Sequence, residues 1–280
     1  MNLLSFAKVN LYLKVINKRR DGYHTLETIF ERISLTDRII LKPRRDGLIR
    51  VSSDNKAVPQ DEANLCFKAA KLLRDKFRPS SGLDIKITKR IPVGAGLGGG
   101  SSNAATVLLG LNKLWRLKLS KIKLAKFATM VGSDVAFFVY DLPFAIGLGR
   151  GERIKPLNIS KKTKLWHLLV VPKIHVSTPL IYKKYDLFSG LTKPVCNVKL
   201  ITSVKPDLLF NSLEQVTIRL YPEVKRIKET LLHFGLDCVL MSGSGPAVFA
   251  ITSSFENASE LAKILRKREE SWRVFVVKTV

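Results

Sequence analysis

The chain has 280 residues, 46% of them hydrophobic, with a formal net charge of +25. That length suits one large domain or two modest ones, and so apolar a composition excludes a disordered chain. Three cysteines (Cys66, Cys196, Cys238) and four histidines (His24, His167, His175, His233) are scattered without metal or disulfide spacing, which predicts a reduced, cytoplasmic setting and no protein-ligated metal site.

Residues 5–13 alternate, with Lys8, Asn10 and Tyr12 on one side and Ala7, Val9, Leu11 and Leu13 on the other. This predicts a half-buried strand with a polar face. Lys8 and Lys14 interrupt the apolar start, and no basic segment precedes it, so no signal peptide is predicted. Asp21-Gly22 predicts a hairpin turn. Strands are expected at 38–43 and 48–52, a helix at 64–77 and a strand at 83–90. Residues 91–112 carry no charge, but Pro92, six glycines and two adjacent serines predict a loop and then a helix, not a membrane span. Helices follow at 102–115 and 122–131.

The basic, polar stretch 158–164 is the expected boundary, dividing 1–160 from 161–280. Beyond it the pattern predicts a strand at 165–171 and a helix at 222–234. Strands at 239–242 and 247–251 flank a glycine turn, and a helix at 256–268 and a strand at 272–278 complete the series. Mixed order with long antiparallel stretches predicts an α+β fold. The charge favours anionic partners, but the clusters Lys18-Arg19-Arg20, Arg44-Arg45 and Arg266-Lys267-Arg268 are short and lack interleaved aromatics. No nucleic-acid platform is predicted from them.

The run Pro92-Val93-Gly94-Ala95-Gly96-Leu97-Gly98-Gly99-Gly100-Ser101-Ser102 lies between a predicted strand and a predicted helix. Glycine lets backbone approach a ligand, and a helix start offers unpaired N–H groups with a positive dipole end, so this is a phosphate cradle. A Walker A loop needs Gly-Lys-Ser/Thr, and Ser101 follows Gly100, which excludes it. Gly94-x-Gly96-x-x-Gly99 fits a dinucleotide fingerprint, yet no Asp or Glu occurs between Gly100 and Asp134 to hold a ribose. On the residues alone, that reading and a ligand-free glycine turn both stay open. Likewise Lys8 and Asp134 could be an ordinary ion pair, and Gly243-Ser244-Gly245 an ordinary hairpin. It is not a nucleophile elbow, because Ser242 stands where Gly is required.

Three runs in order resemble the motifs of the galactokinase, homoserine kinase, mevalonate kinase and phosphomevalonate kinase (GHMP) superfamily: residues 5–11, 92–102 and 242–249. Within it, Asp21-Gly22-Tyr23-His24-Thr25-Leu26, Gly98 to Ala105 and Gly132-Ser133-Asp134-Val135 resemble the 4-diphosphocytidyl-2-C-methyl-D-erythritol kinases. The resemblance differs at Phe6 and Ala136, where that family usually carries Pro. It implies a two-domain fold, with a ribosomal-protein-like N-terminal domain, a ferredoxin-like α/β sandwich after it and the active site in the cleft between them. It implies ATP-dependent phosphorylation of the 2-hydroxyl of 4-diphosphocytidyl-2-C-methyl-D-erythritol, on the non-mevalonate route to isoprenoid precursors. Lys8 and Asp134 are then catalytic. Asn64 and each residue from Pro92 through Val93, Gly94, Ala95, Gly96, Leu97, Gly98, Gly99, Gly100, Ser101 and Ser102 bind ATP, which carries Mg²⁺. Asn10, Tyr23, His24, Thr178, Tyr182, Gly243 and Ser244 bind the substrate. The same resemblance implies no nucleic-acid or membrane partner and a monomer or weak homodimer. A GHMP kinase acting on homoserine or mevalonate, an RNA-binding protein and an NAD enzyme are the competing expectations.

Overall fold

A computed structural model describes residues 1–157, 159, 163–188 and 208–280. Cys196 and most of the expected boundary stretch, 158–164, lie outside the described residues.

The chain opens with two long antiparallel strands, β1 (Asn2–Lys18) and β2 (His24–Arg44). Their turn is the expected one: Gly22 takes φ 82°, and Asp21 Oδ1 accepts from the Tyr23 amide at 3.1 Å. Next come β3 (Ile49–Ser53), α1 (Leu65–Phe77), β4 (Gly82–Thr88), α2 (Gly99–Leu114), α3 (Lys121–Val131), α4 (Val135–Tyr140), β5 (Phe144–Gly149) and β6 (Arg153–Pro156). Asn64 caps α1 by accepting from the Cys66 amide, and Ser120 caps α3. Cys66, Ala69, Ala70 and Leu73, at helical spacing, turn one face of α1 into the core.

The later part holds β7 (Trp166–Pro172), α5 (Thr178–Phe188), β8 (Phe210–Asn211), α6 (Glu214–Leu220), α7 (Pro222–His233), β9 (Val239–Met241), β10 (Val248–Thr252), α8 (Phe255–Arg268) and β11 (Trp272–Lys278). Two sheets result. The first runs β3-β4-β2-β1-β8, with β5 on the early half of β2 and β6 beside β5. The second runs β11-β7-β10-β9. The two-residue β8 pairs parallel with β1, so the later part of the chain contributes to the first sheet.

A shared core joins the two sheets: Ala7, Val9, Leu11, Ile29 and Ile33 of the first meet Leu169, Phe249 and Val277 of the second. Inside this seam Glu31 and His167 are fully buried, and Glu31 Oε1 accepts from His167 Nε2 at 2.9 Å and from Thr279 Oγ1 at 2.6 Å. Thr279 also bridges Ile33, and the Val280 amide donates to the Arg32 carbonyl at 3.1 Å. Among the described residues no helix is long and apolar enough to cross a membrane.

Several expectations change. β1 is buried on both faces over residues 7–12, not half-buried, because its polar side packs under the glycine loop. α2 begins at Gly99, ahead of the expected start at 102. The first half of β2, together with α4, β5, β6, α5, β8 and α6, lies in stretches for which no element is predicted.

Candidate active site

The loop between β4 and α2 is held at both ends by a buried carboxylate. Asp37 of β2 accepts from the amides of Arg90 at 2.7 Å and Ile91 at 2.8 Å, from Asn103 Nδ2 at 2.9 Å, and from the ammonium of Lys89. Asn103 also donates to Ser5 Oγ, which bonds Ser102 Oγ at 2.7 Å. Strand β1, strand β2, the loop entry and the first turn of α2 are thereby fixed to one another. Gly98 caps α2 at φ 66° with no side chain, which leaves the first amides of the helix without a side-chain cap.

The outer side of the loop meets the turn between β9 and β10. Gly96 takes φ 74°, and a Cβ there would stand 2.1 Å from the Ser242 carbonyl oxygen. Only glycine permits both the backbone angle and the approach. Ser242 Oγ donates to the Gly96 carbonyl at 3.0 Å, and the Ala247 amide donates to the Ala95 carbonyl.

Lys8 lies beneath this junction. Its Nζ donates to Asn10 Oδ1 at 2.6 Å and to the Gly96 carbonyl at 2.8 Å, and stands 3.6 Å from Asp134 Oδ2. Asn10 Nδ2 donates in turn to Thr28 Oγ1, whose hydroxyl donates to the Tyr12 carbonyl. Burial lowers the Lys8 pKa below its ordinary value, and the nearby Asp134 carboxylate opposes that shift. The Asp134 side chain is 31% exposed, so the pair has one dry partner and one that faces the cleft.

A cavity of about 950 Å³ runs from α1 past the loop to α5. Every expected site residue lines it except Ser102. Ser102 turns its hydroxyl inward to Ser5, so it braces the loop from behind. Asn64 is at the wall, but its carboxamide is engaged by its own segment, accepting from Cys66 and donating to the Pro59 carbonyl. Cys66 lies nearby, and burial pushes its thiol up to about 12, far from thiolate chemistry at neutral pH.

At the other end His24 and Tyr182 stack, with ring centroids 4.9 Å apart at 28°. Tyr23 is exposed, and the Arg150 guanidinium lies 4.9 Å from its ring centre. Thr178 and Ser244 share a hydroxyl hydrogen bond of 2.7 Å, joining α5 to the β9–β10 turn. Asp186 accepts from His24 Nε2 at 2.6 Å and from Lys18 Nζ at 2.7 Å. Sequence reasoning missed Asp37, Lys89, Asn103, Arg150 and Asp186. Asp37 had a signal: it is the one acid between Ile33 and Leu41, a stretch of alternating apolar residues in a very basic chain.

The arrangement can hold an anion on loop amides and beside an ammonium, with a carboxylate facing the same space. The profile of the GHMP kinases N terminal domain matches residues 64–142, and that of the GHMP kinases C terminal domain matches residues 200–271. A 4-diphosphocytidyl-2-C-methyl-D-erythritol kinase of Geobacillus sp. (strain WCH70) is 46% identical over 88% of this chain and 86% of its own. The enzyme of that name from Bacillus subtilis (strain 168) is 46% identical with the same coverage. The chain belongs to the 4-diphosphocytidyl-2-C-methyl-D-erythritol kinase family of GHMP kinases. A crystal structure of 4-(cytidine 5'-diphospho)-2C-methyl-D-erythritol kinase superposes with a TM-score of 0.82 at 35% identity, covering 99% of this chain and 98% of that one. The mevalonate kinase of Methanococcus jannaschii shares the fold, with a TM-score of 0.74 at 20% identity over 100% of this chain and 98% of that one. In this GHMP kinase the two profile-matched stretches meet at Gly96 and Ser242, where the Ser242 hydroxyl bonds the Gly96 carbonyl and no room is left for a Cβ on the glycine.

Proposed function

We propose that the chain transfers the terminal phosphoryl group of ATP to the 2-hydroxyl of 4-diphosphocytidyl-2-C-methyl-D-erythritol, in the non-mevalonate route to isoprenoid precursors. One observation carries this reading: a single cavity joins the glycine loop, the Lys8–Asp134 pair and the Tyr23, His24 and Tyr182 rings. A nucleoside triphosphate on the loop has its terminal phosphate near Lys8. An alcohol bound by the aromatic end presents its hydroxyl near Asp134.

Phosphoryl transfer through a loose transition state needs mainly alignment and electrostatic stabilisation. Asp134 orients the substrate hydroxyl and accepts its proton, and Lys8 offsets charge on the phosphoryl oxygens. Flat rings at Tyr23 and Tyr182 suit a pyrimidine, and His24 suits its edge. Thr178, Ser244 and Gly243 then hold the diphosphate and sugar-alcohol portion. Asn10 acts on Lys8, whose ammonium it receives, more than on the substrate.

Among the described residues no group of three or more His, Cys, Asp or Glu is arranged to hold a metal ion. The cavity is lined by the carboxylates Asp134 and Asp186, and Asp186 is already engaged by His24 and Lys18. That donor set would suit Mg²⁺ carried by the nucleotide's phosphates and water, and Asp134 is the carboxylate beside Lys8 that could help hold it. When bound, the ion neutralises phosphate charge. A cytoplasmic location and two domains meeting near residue 160 are part of the same proposal.

An ATP-consumption assay over a panel of alcohols, with product mass measured, tests it. Expected is transfer of one phosphate to the cytidine diphosphate alcohol. Preference for homoserine or mevalonate, or no transfer to any alcohol, overturns it.

A further inference from the structure

His24 is gripped by two side chains from one face of α5. Tyr182 and Asp186 are one helical turn apart, so both point toward the same neighbour. Tyr182 stacks on the flat of the imidazole, while Asp186 Oδ1 accepts from its edge at Nε2. His24 is 7% exposed and starts β2, directly opposite Lys18 at the end of β1. Lys18 bonds the other oxygen of the same carboxylate. Asp186 is therefore clasped between the two strands of the first hairpin, although it belongs to a helix of the later part of the chain.

A carboxylate only accepts, so Nε2 of His24 must carry a proton. The nitrogen left to meet a ligand is Nδ1. A stacked, edge-bonded ring cannot rotate without breaking one of the two contacts. We propose that Asp186 is a positioning residue for base recognition. It fixes the plane of His24 and commits Nε2 as a donor, so that Nδ1 is the atom offered to the pyrimidine edge. Recognition of the base is thereby tied to the seating of α5 on the β1–β2 hairpin. The proposal rests on the assignment of His24 to the cytidine end made above.

A double-mutant cycle on the intact chain tests it, with KM for the cytidine substrate, KM for ATP and kcat measured for His24→Ala, Asp186→Ala and the double variant. Each single variant is expected to raise KM for the cytidine substrate about tenfold, the scale of one charge-assisted hydrogen bond, with KM for ATP and kcat within about twofold. The double variant is expected to match His24→Ala, because Asp186 acts through that ring. Asp186→Asn, whose amide oxygen still accepts from Nε2, is expected to lie nearer wild type than Asp186→Ala, and it keeps the test sound if the alanine variant misfolds. A cytidine KM unchanged in Asp186→Ala but raised in His24→Ala overturns the positioning role and leaves the cytidine assignment standing. Multiplying effects in the double variant, or no rescue by Asn, also overturn the role. An unchanged KM in His24→Ala overturns both.

Discussion

Asn10 stands two residues beyond Lys8 on β1, and its carboxamide oxygen accepts from the lysine ammonium at 2.6 Å while its nitrogen donates to Thr28. Thr28 fixes which way the amide points, so the oxygen faces Lys8 by construction. Asn10→Ala is expected to lower kcat about tenfold and stability by about 1.5–3 kcal/mol, the cost of a lost hydrogen bond to a charged group. Steady-state kinetics and urea unfolding check both, and an unchanged kcat would show that Lys8 needs no such guide.

Asp134→Asn and Lys8→Ala are each expected to lower kcat by at least about 10²-fold, the scale of losing one electrostatic contributor. Far-UV circular dichroism should remain that of the parent. Wild-type turnover in either variant removes it from the chemistry.

Burial holds the Lys8 pKa below the ordinary lysine value of 10.5. If its ammonium serves the phosphoryl group, kcat falls on the alkaline side with a midpoint below 10.5. Stability moves the other way. Between the folded and unfolded pKa values the unfolded chain binds more protons, so the Lys8 contribution to stability grows as pH rises through that window. A pH–rate profile and chemical denaturation at matched pH values separate the two trends.

Gly96→Ala drives a methyl group against the Ser242 carbonyl at a positive φ. Strain of roughly 1–3 kcal/mol is expected, with a lower Tm and weaker ATP binding as the loop lifts from its partner turn. Gly100→Ala is the control for stability, since its Cβ would meet only Leu65 Cδ1 at 3.6 Å inside α2. Its Tm should be unchanged or higher.

Asp37→Ala strands the buried Lys89 ammonium and three further donors. Removing one partner of a buried pair typically costs about 3–5 kcal/mol. A loss under about 1 kcal/mol in equilibrium unfolding would mean that water replaces the carboxylate.

The hairpin turn at Gly22 and the helix α1 were legible because each depends on neighbours in sequence, and the α+β class followed from the mixed order of the elements. The first half of β2 was not, since its Thr28 and Glu31 are polar yet buried, on opposite faces, and hide the alternation that marks a strand. α4 escaped notice because Val135 to Tyr140 are all apolar, β-branched or aromatic, a composition that suits strand as well as helix. At the site, the glycine run and the Lys8 and Asp134 motifs stood out locally. Asp186 could not, for its partner His24 lies 162 residues away and nothing in α5 announces it.

The seam at Glu31 has a consequence for biosynthesis. Its hydroxyl partner, Thr279, follows it by 248 residues, and the Val280 amide that closes on Arg32 comes later still. On the ribosome, the acid can meet His167 once that residue has emerged, but its hydroxyl partner and the contact at Arg32 wait for residues 279 and 280. Completion of this seam therefore depends on contacts between residues far apart in sequence. A chain cut before residue 279 keeps the apolar partners Leu169, Phe249 and Val277 but loses the Thr279 and Val280 contacts, and its buried acid is left with His167 alone.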